Sequence, residues 1–416
     1  MRARIHRGAA EVGGSCVELE SGDERLVLDL GRPLWAEAGD EVSLPAIPGL
    51  RGDGDGGLVG VVITHGHPDH FGLIEGISPD VPVYIGEAAA RILDDAAFFT
   101  GLESRLSPAG FLSDGRPLQL GRFEVTPFLV DHSAFDAHAL MVEADGRRLF
   151  YSGDLRAHGR KPGTFQRLLE RPPEGIDVLL LEGTRLGRER PSAEEPTSEV
   201  DVEQRCVELF KATAGMVLAC YSPQNIDRYV SLYRAALRAD RDLVIDLYTA
   251  TVAQATRRDS IPQADWDRVK VFVPRSQRVR IKRAKAFERV DAVRPARIFP
   301  EQLASEPERL VMTFRASMAT ELDQAGCLTG ASAVWSMWPG YLREPSSDRL
   351  KSFLERHGIP IAVIHASGHA TVADLRRLAD SIDAEQIVPI HTAAPERFAE
   401  AFGRANPRPD GDWWEV

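Results

Sequence analysis

The run Thr64-His65-Gly66-His67-Pro68-Asp69-His70 places three imidazoles and a carboxylate within six residues, directly after the apolar stretch 58–63. Apolar packing cannot satisfy such side chains, so they make a poor core and a wasteful surface turn. A metal ion is the partner that satisfies all of them. Alternate residues at a strand end face the same way, and the Gly-His-Pro-Asp-His turn wraps the chain so that Asp69 and His70 can point back toward His65 and His67. On this reading His65 and His67 serve one ion, and Asp69 and His70 a second. Imidazole and carboxylate donors without thiolate suit Zn²⁺, with Mn²⁺ or Fe as alternatives.

The elements that would position further donors are legible from apolar runs and turn residues. A strand over 121–130 ends before His132. Strands over 139–143 and 148–151 pair across Asp145-Gly146, where Asp-Gly supplies the left-handed backbone of a tight hairpin, and lead into Asp154. A strand over 176–181 runs into Glu182, one over 361–364 precedes Ser367-Gly368-His369, and one over 387–390 ends in His391. Asp29 stands at the end of an apolar strand over 25–30, where a buried carboxylate needs a cation or donors and could hold a metal-bound histidine. For His369 the plainer alternative is a cap on the helix that begins near Thr371.

At 416 residues the chain exceeds one hydrophobic core, so two domains are expected. There is no apolar run of about 18 residues, and the N-terminus lacks the apolar core of a signal peptide, which predicts a soluble, cytoplasmic protein without a membrane partner. Cys16, Cys206, Cys220 and Cys327 form no C-x-x-C pair and are expected as buried thiols. The net charge of −12 weighs against nucleic acid in bulk. Locally, 275–297 carries nine Arg and Lys against Glu288 and Asp291, a run that alone reads as a solvated face. Between 185 and 197 the composition turns to Arg, Glu, Pro and Ser. Beyond it helices over 200–212, 226–239 and 250–256 alternate with strands over 215–221 and 242–247, the pattern of an α/β domain with a parallel sheet. The expected division is 1–195 and 359–416 in one domain, with 196–358 inserted.

His65-x-His67-x-Asp69-His70, then His132, Asp154 and His391, each at a strand end, resembles the five-motif signature of metallo-β-lactamase-fold hydrolases, with Asp29 as first motif. The resemblance implies an α/β fold, a four-layer αβ/βα sandwich with metals at one edge. It implies one Zn²⁺ on His65, His67, His132 and Asp154, and another on Asp69, His70, Asp154 and His391. The interval from Asp154 to His391, 237 residues, is long for that fold and holds the parallel-sheet segment. Such an insertion, with Glu182 and His369 as motifs A and B, resembles the β-CASP nucleases. Gly8-Ala9-Ala10-Glu11-Val12-Gly13-Gly14, Tyr221-Ser222-Pro223-Gln224-Asn225-Ile226-Asp227-Arg228 and Ala366-Ser367-Gly368-His369-Ala370 resemble their ribonuclease J and polyadenylation-factor branches. Two places depart from ribonuclease J. The chain ends 25 residues after His391, without that family's C-terminal dimerisation domain, and Thr313-Phe314-Arg315-Ala316-Ser317-Met318 replaces its Gly-Ser-Gln-Gly-Glu turn.

The resemblance implies a phosphodiesterase that cleaves RNA, endonucleolytically or also from the 5′ end, through a hydroxide activated by two Zn²⁺ or Mn²⁺ ions. Asp69 would orient that hydroxide, and His369, its tautomer held by Glu182, would protonate the leaving oxygen. Arg315 and Ser317 are candidate phosphate contacts. Single-stranded DNA is the alternative polyanion. A small-molecule hydrolase of the same fold would leave the inserted domain and His369 without a use. A non-catalytic nucleic-acid-binding relative would be free to lose ligands that this sequence keeps. Oligomeric state is open.

Overall fold

The computed structural model of the chain describes residues 1–37, 39–53, 56–101, 106–187 and 197–416. They form two compact units, one from Met1–Asp94, Glu103–Arg190 and Gly368–Val416, the other from Asp95–Leu102 and Pro191–Ser367.

The first unit contains two sheets. The seven-stranded sheet runs in the order Trp413–Glu415, Arg2–Arg7, Cys16–Ser21, Glu24–Leu28, Leu58–Val62, Val83–Gly86, Gly110–Leu112. The six-stranded sheet runs Gln386–Ile390, Val178–Glu182, Arg147–Tyr151, His138–Ala144, Phe123–Leu129, Leu118–Leu120. Successive side chains on a strand point to opposite faces, and the sequence uses both. Leu26, Leu28 and Val62 meet Leu149, Tyr151, Val178 and Leu180 in a core between the sheets. Val27, Val61 and Ile63 face outward and pack on Ala89, Ala90 and Leu93 of the helix Glu87–Thr100. Phe150, Leu179 and Leu181 face the other way, against Phe165 and Leu168 of Pro162–Glu170 and Leu375, Leu378 and Ile382 of Val372–Ile382. Helix, sheet, sheet and helix make the four layers that the resemblance implies.

This topology also aligns strand ends. Glu24–Leu28 is parallel to Leu58–Val62, and Arg147–Tyr151 is parallel to Val178–Glu182, itself parallel to Gln386–Ile390. Phe123–Leu129 reaches the same direction through two antiparallel pairings. The strand end at Glu182 and the turns carrying His132, Asp154 and His391 therefore lie at one edge of their sheet.

The second unit is a six-stranded parallel sheet in the order Val269–Phe272, Asp242–Asp246, Leu310–Thr313, Val217–Cys220, Ser332–Trp335, Ile361–Val363. Both faces are covered, one by Cys206, Phe210, Tyr229 and Leu232, the other by Leu322, Leu350, Phe353 and Leu354, which is why central strands such as Val217–Cys220 are apolar throughout. Side-chain caps set helix starts: Ser198 accepts from Asp201 N, Asn225 from Arg228 N and Asp246 from Thr249 N. Because Asp246 is a cap, its helix begins at Leu247 rather than at the expected 250.

One expectation about organisation changes. The return to the first unit lies at Gly368, not 359, because Ile361–Val363 hydrogen-bonds to Ser332–Trp335 and extends the second unit's sheet. The expected crossing at 195–196 lies outside the described residues. The helix Pro162–Glu170 and the strand Trp413–Glu415, paired with Arg2–Arg7, were not expected. All four cysteines are buried and free. Among the described residues, no helix is long and apolar enough to cross a membrane.

Candidate metal centre

The sheet edges of the first unit gather the expected donors into two groups. Ligand atoms of His65, His67, His132 and Asp154 lie within 4.8 Å of one another, as do those of Asp69, His70 and His391. Asp154 stands between the groups. Its Oδ2 is 3.8 Å from His65 Nε2, 3.3 Å from His70 Nε2 and 3.9 Å from His132 Nε2, and its Oδ1 is 3.7 Å from His391 Nδ1. His391 Nε2 lies 3.2 Å from Asp69 Oδ2.

The imidazoles are held by bonds on their other nitrogens. His132 Nδ1 lies 2.7 Å from the Gly368 carbonyl, which can only accept, so Nδ1 carries the proton and Nε2 presents a lone pair to the cluster. His70 Nδ1 donates to Asp29 Oδ2 at 2.7 Å, His65 Nδ1 is 3.0 Å from Thr64 Oγ1, and His391 Nδ1 is 2.8 Å from Thr184 Oγ1. Asp29 itself has left-handed backbone (φ 58°) and is fully buried, and it accepts from Thr64 N, Thr64 Oγ1, His70 and Tyr151 Oη. The close approach of the chain here requires glycine at 31, since a β-carbon there would fall 1.9 Å from the Asp69 carbonyl oxygen.

The donor set fits a cation. His65 Nε2 and Asp154 Oδ1 are buried without a hydrogen-bond partner. Such a group costs about 1–3 kcal/mol when it stays unsatisfied. Burial and neighbouring imidazoles hold His65 and His132 well below the usual histidine range, and burial takes His67 down to about 4. At neutral pH these three rings are uncharged, the state that ligates. Burial opposes charge on His70 as well, but the Asp154 and Asp29 carboxylates outweigh it and raise its pKa. Burial also disfavours ionised Asp69 and Asp154, and the surrounding imidazoles nevertheless keep both carboxyls below their ordinary range.

Glu182 and His369 stand at the margin of the cluster. Glu182 is the last residue of its strand; Oε2 accepts from Thr184 N at 2.8 Å and Oε1 lies 3.7 Å from His369 Nδ1. His369 Nδ1 is also 3.6 Å from Asp154 Oδ2, and with Asp154 and His391 it forms a third potential donor group. Burial works against a charged His369, and Asp154 followed by Glu182 raises its pKa overall. It does not cap the following helix; Thr371 does, its Oγ1 accepting from Asp374 N at 3.1 Å.

Arg315 and Ser317 belong to the second unit. The guanidinium is tied to buried Asp246, Nε to Oδ2 at 2.8 Å and Nη2 to Oδ1 at 3.4 Å, while Ser317 is exposed in the turn Ala316–Met318. The basic run divides as well. Arg278 pairs with Glu321, Arg280 donates to the Phe98 carbonyl, Arg289 to Asp95 and Arg294 to Asp291, whereas Lys282, Arg283 and Lys285 are exposed.

The sequence reading missed the fully buried pair Asp131 and Arg156. Arg156 Nε lies 3.2 Å from Asp131 Oδ1 and Arg156 N donates to the Asp131 carbonyl at 2.7 Å, joining the turn of His132 to that of Asp154. The available signal was a charge within two residues of each proposed ligand.

Comparison with known proteins agrees with this geometry. The profile of the Beta-lactamase superfamily domain matches residues 38–218. Ribonuclease J of Helicobacter pylori is 22% identical over 246 residues, 57% of this chain and 35% of that protein. Ribonuclease J of Sinorhizobium meliloti is 24% identical over 360 residues, 83% of this chain and 59% of that protein. The chain thus spans less than two thirds of these relatives. A crystal structure of a protein of unknown function from Enterococcus faecalis V583 superposes with a TM-score of 0.80 at 20% identity, covering 100% of this chain and 99% of that one, and shares the fold. With the four-layer sandwich, the domain match over residues 38–218 and these relatives, the chain has a metallo-β-lactamase-type fold and is similar to the ribonucleases J.

Proposed function

We propose that the chain is a metal-dependent phosphodiesterase that cleaves RNA. One observation carries the reading: a complete set of His and Asp donors is bordered by Glu182 and His369, in a chain homologous to ribonucleases J. The donors would hold two divalent ions, zinc by their chemistry, on His65, His67, His132 and Asp154 and on Asp69, His70, His391 and Asp154. Bound there, divalent ions lower the pKa of water and offset charge on phosphoryl oxygens.

The chain's own residues supply the rest. Asp69 remains a carboxylate and can accept a hydrogen bond from the attacking water, fixing its approach to phosphorus. His369 keeps its proton beside Asp154 and Glu182, and would give it to the leaving oxygen as the bond to phosphorus breaks. Glu182 is buried and held by Thr184 N, so it orients His369 rather than exchanging protons with solvent. Arg315 and Ser317 remain candidate phosphate contacts, Arg315 with its charge already balanced by Asp246.

Metal-loaded protein incubated with 5′-monophosphate, 5′-triphosphate and circular RNA, and with the matching DNAs, tests the reading through product lengths. Cut circles show endonuclease action, and single nucleotides released from 5′-monophosphate ends show an exonuclease. RNA left intact while a thioester or lactam is hydrolysed would overturn the proposal.

A further inference from the structure

The segment from Gly8 to Gly14 contributes no donor to the cluster, yet it carries something to its rim. Leu34 and Trp35 are 58% and 68% exposed, the most among the large apolar side chains of the described residues except Val200. They follow Pro33, which bridges Gly13 in an antiparallel pair. Gly13 has left-handed backbone (φ 85°), and a β-carbon there would stand 2.7 Å from Leu34 Cγ and 3.1 Å from Asp69 Oδ2. Leu34 and the proposed ligand Asp69 therefore flank the same point, and the Leu34-Trp35 pair sits at the lip of the donor cluster.

Glu11, two residues before the Gly13 that bridges Pro33, lies 3.6 Å from Arg7 Nε. An exposed aromatic ring near the donor cluster offers a face on which a base can stack. Glu11 beside it repels phosphate, so the ring suits the base of a nucleotide and not its backbone.

Resting on the phosphodiesterase reading, we propose that Trp35, beside Leu34, is the stacking platform for the nucleobase next to the scissile phosphate. Every base presents a π face, so such a platform binds single strands with little sequence preference. It sets how a strand is laid across the cluster and takes no part in bond breaking.

The test compares Trp35→Ala and Trp35→Phe on an RNA cleaved at one mapped bond, and on the same RNA with an abasic residue on either side of that bond. Trp35→Ala should lower kcat/KM on the normal RNA by about 10- to 100-fold, mainly through KM. Trp35→Phe should keep most of the activity, metal content should not change, and on one of the abasic RNAs wild type and Trp35→Ala should coincide. Unchanged kcat/KM for Trp35→Ala, or an equal loss on both abasic RNAs, overturns the platform and leaves the nuclease reading standing. A shift in sedimentation with unchanged kinetics makes Trp35 a self-association residue and overturns it too. Wild-type protein that cuts neither RNA nor DNA overturns the nuclease reading itself, and the platform with it.

Discussion

Replacing Asp29 with Asn keeps the volume of the side chain and reverses half of its hydrogen bonding. The carboxylate accepts from Thr64 N at 2.7 Å, Thr64 Oγ1 at 2.9 Å, His70 Nδ1 at 2.7 Å and Tyr151 Oη at 2.8 Å. An amide has one oxygen, and if that oxygen keeps Thr64, the NH₂ meets His70 Nδ1. His70 must then accept at Nδ1 and move its proton to Nε2, the atom that faces Asp154 and would bind the ion. Loss of such an orienting partner lowers metal affinity by about 10- to 100-fold. That corresponds to about 1.4–2.8 kcal/mol, at 1.4 kcal/mol per factor of ten. The loss should fall on the ion held by Asp69, His70 and His391, with the other site spared, because Asp29 makes no hydrogen bond to His65, His67 or His132. Chelator-competition titration that resolves two binding steps reads this directly, with circular dichroism confirming the fold. Two unchanged steps would refute the tautomer argument. An equal loss in both would show that Asp29 supports the fold of the edge and not His70.

His369→Ala should lower the single-turnover rate by about 10²–10⁴ with metal content unchanged, and sulfur in place of the leaving oxygen, which needs little protonation, should recover much of it. Metal loss in that variant would make His369 a ligand. Burial raises the Asp246 carboxyl, but Arg315 and then Thr249 outweigh it and hold its pKa below the ordinary range. A depressed native pKa stabilises the fold above the unfolded value of about 3.9, and the contribution fades as pH falls further. The difference in thermal stability between wild type and Asp246→Asn should therefore be full above about pH 4 and shrink below it, whereas a pH-independent difference would contradict the ion-pair account. Changing exposed Lys282, Arg283 and Lys285 together to Glu should weaken RNA binding and flatten its salt dependence. Hydrolysis of bis(p-nitrophenyl) phosphate should stay the same, and an unaltered salt slope would return these residues to ordinary surface.

The donor positions were legible because each follows an apolar run short enough to be a strand, and because imidazoles and carboxylates at such ends have few other uses. The four layers follow from alternation: Val61 and Val62 face opposite cores, as period two demands. Other features left no such trace. The Gly368 carbonyl that fixes His132 is backbone, and any residue could have supplied it. The apolar run at 361–364 declares a strand but not its neighbour, and only tertiary pairing with Ser332–Trp335 assigns it to the second unit. Trp413–Glu415 pairs with Arg2–Arg7 at the far end of the chain, with Arg2 and Arg4 over the Trp413 ring. Asp246 was readable as a cap, but the apolar residues that follow it continue the strand pattern and hid the helix start.

The proposed function requires a two-metal site at the sheet edges of the first unit. Elemental analysis of chain purified in excess Zn²⁺ and freed of loosely bound ions tests it most directly. Two ions per chain are expected, and one after Asp69→Ala. One ion or none in the wild-type chain would contradict it.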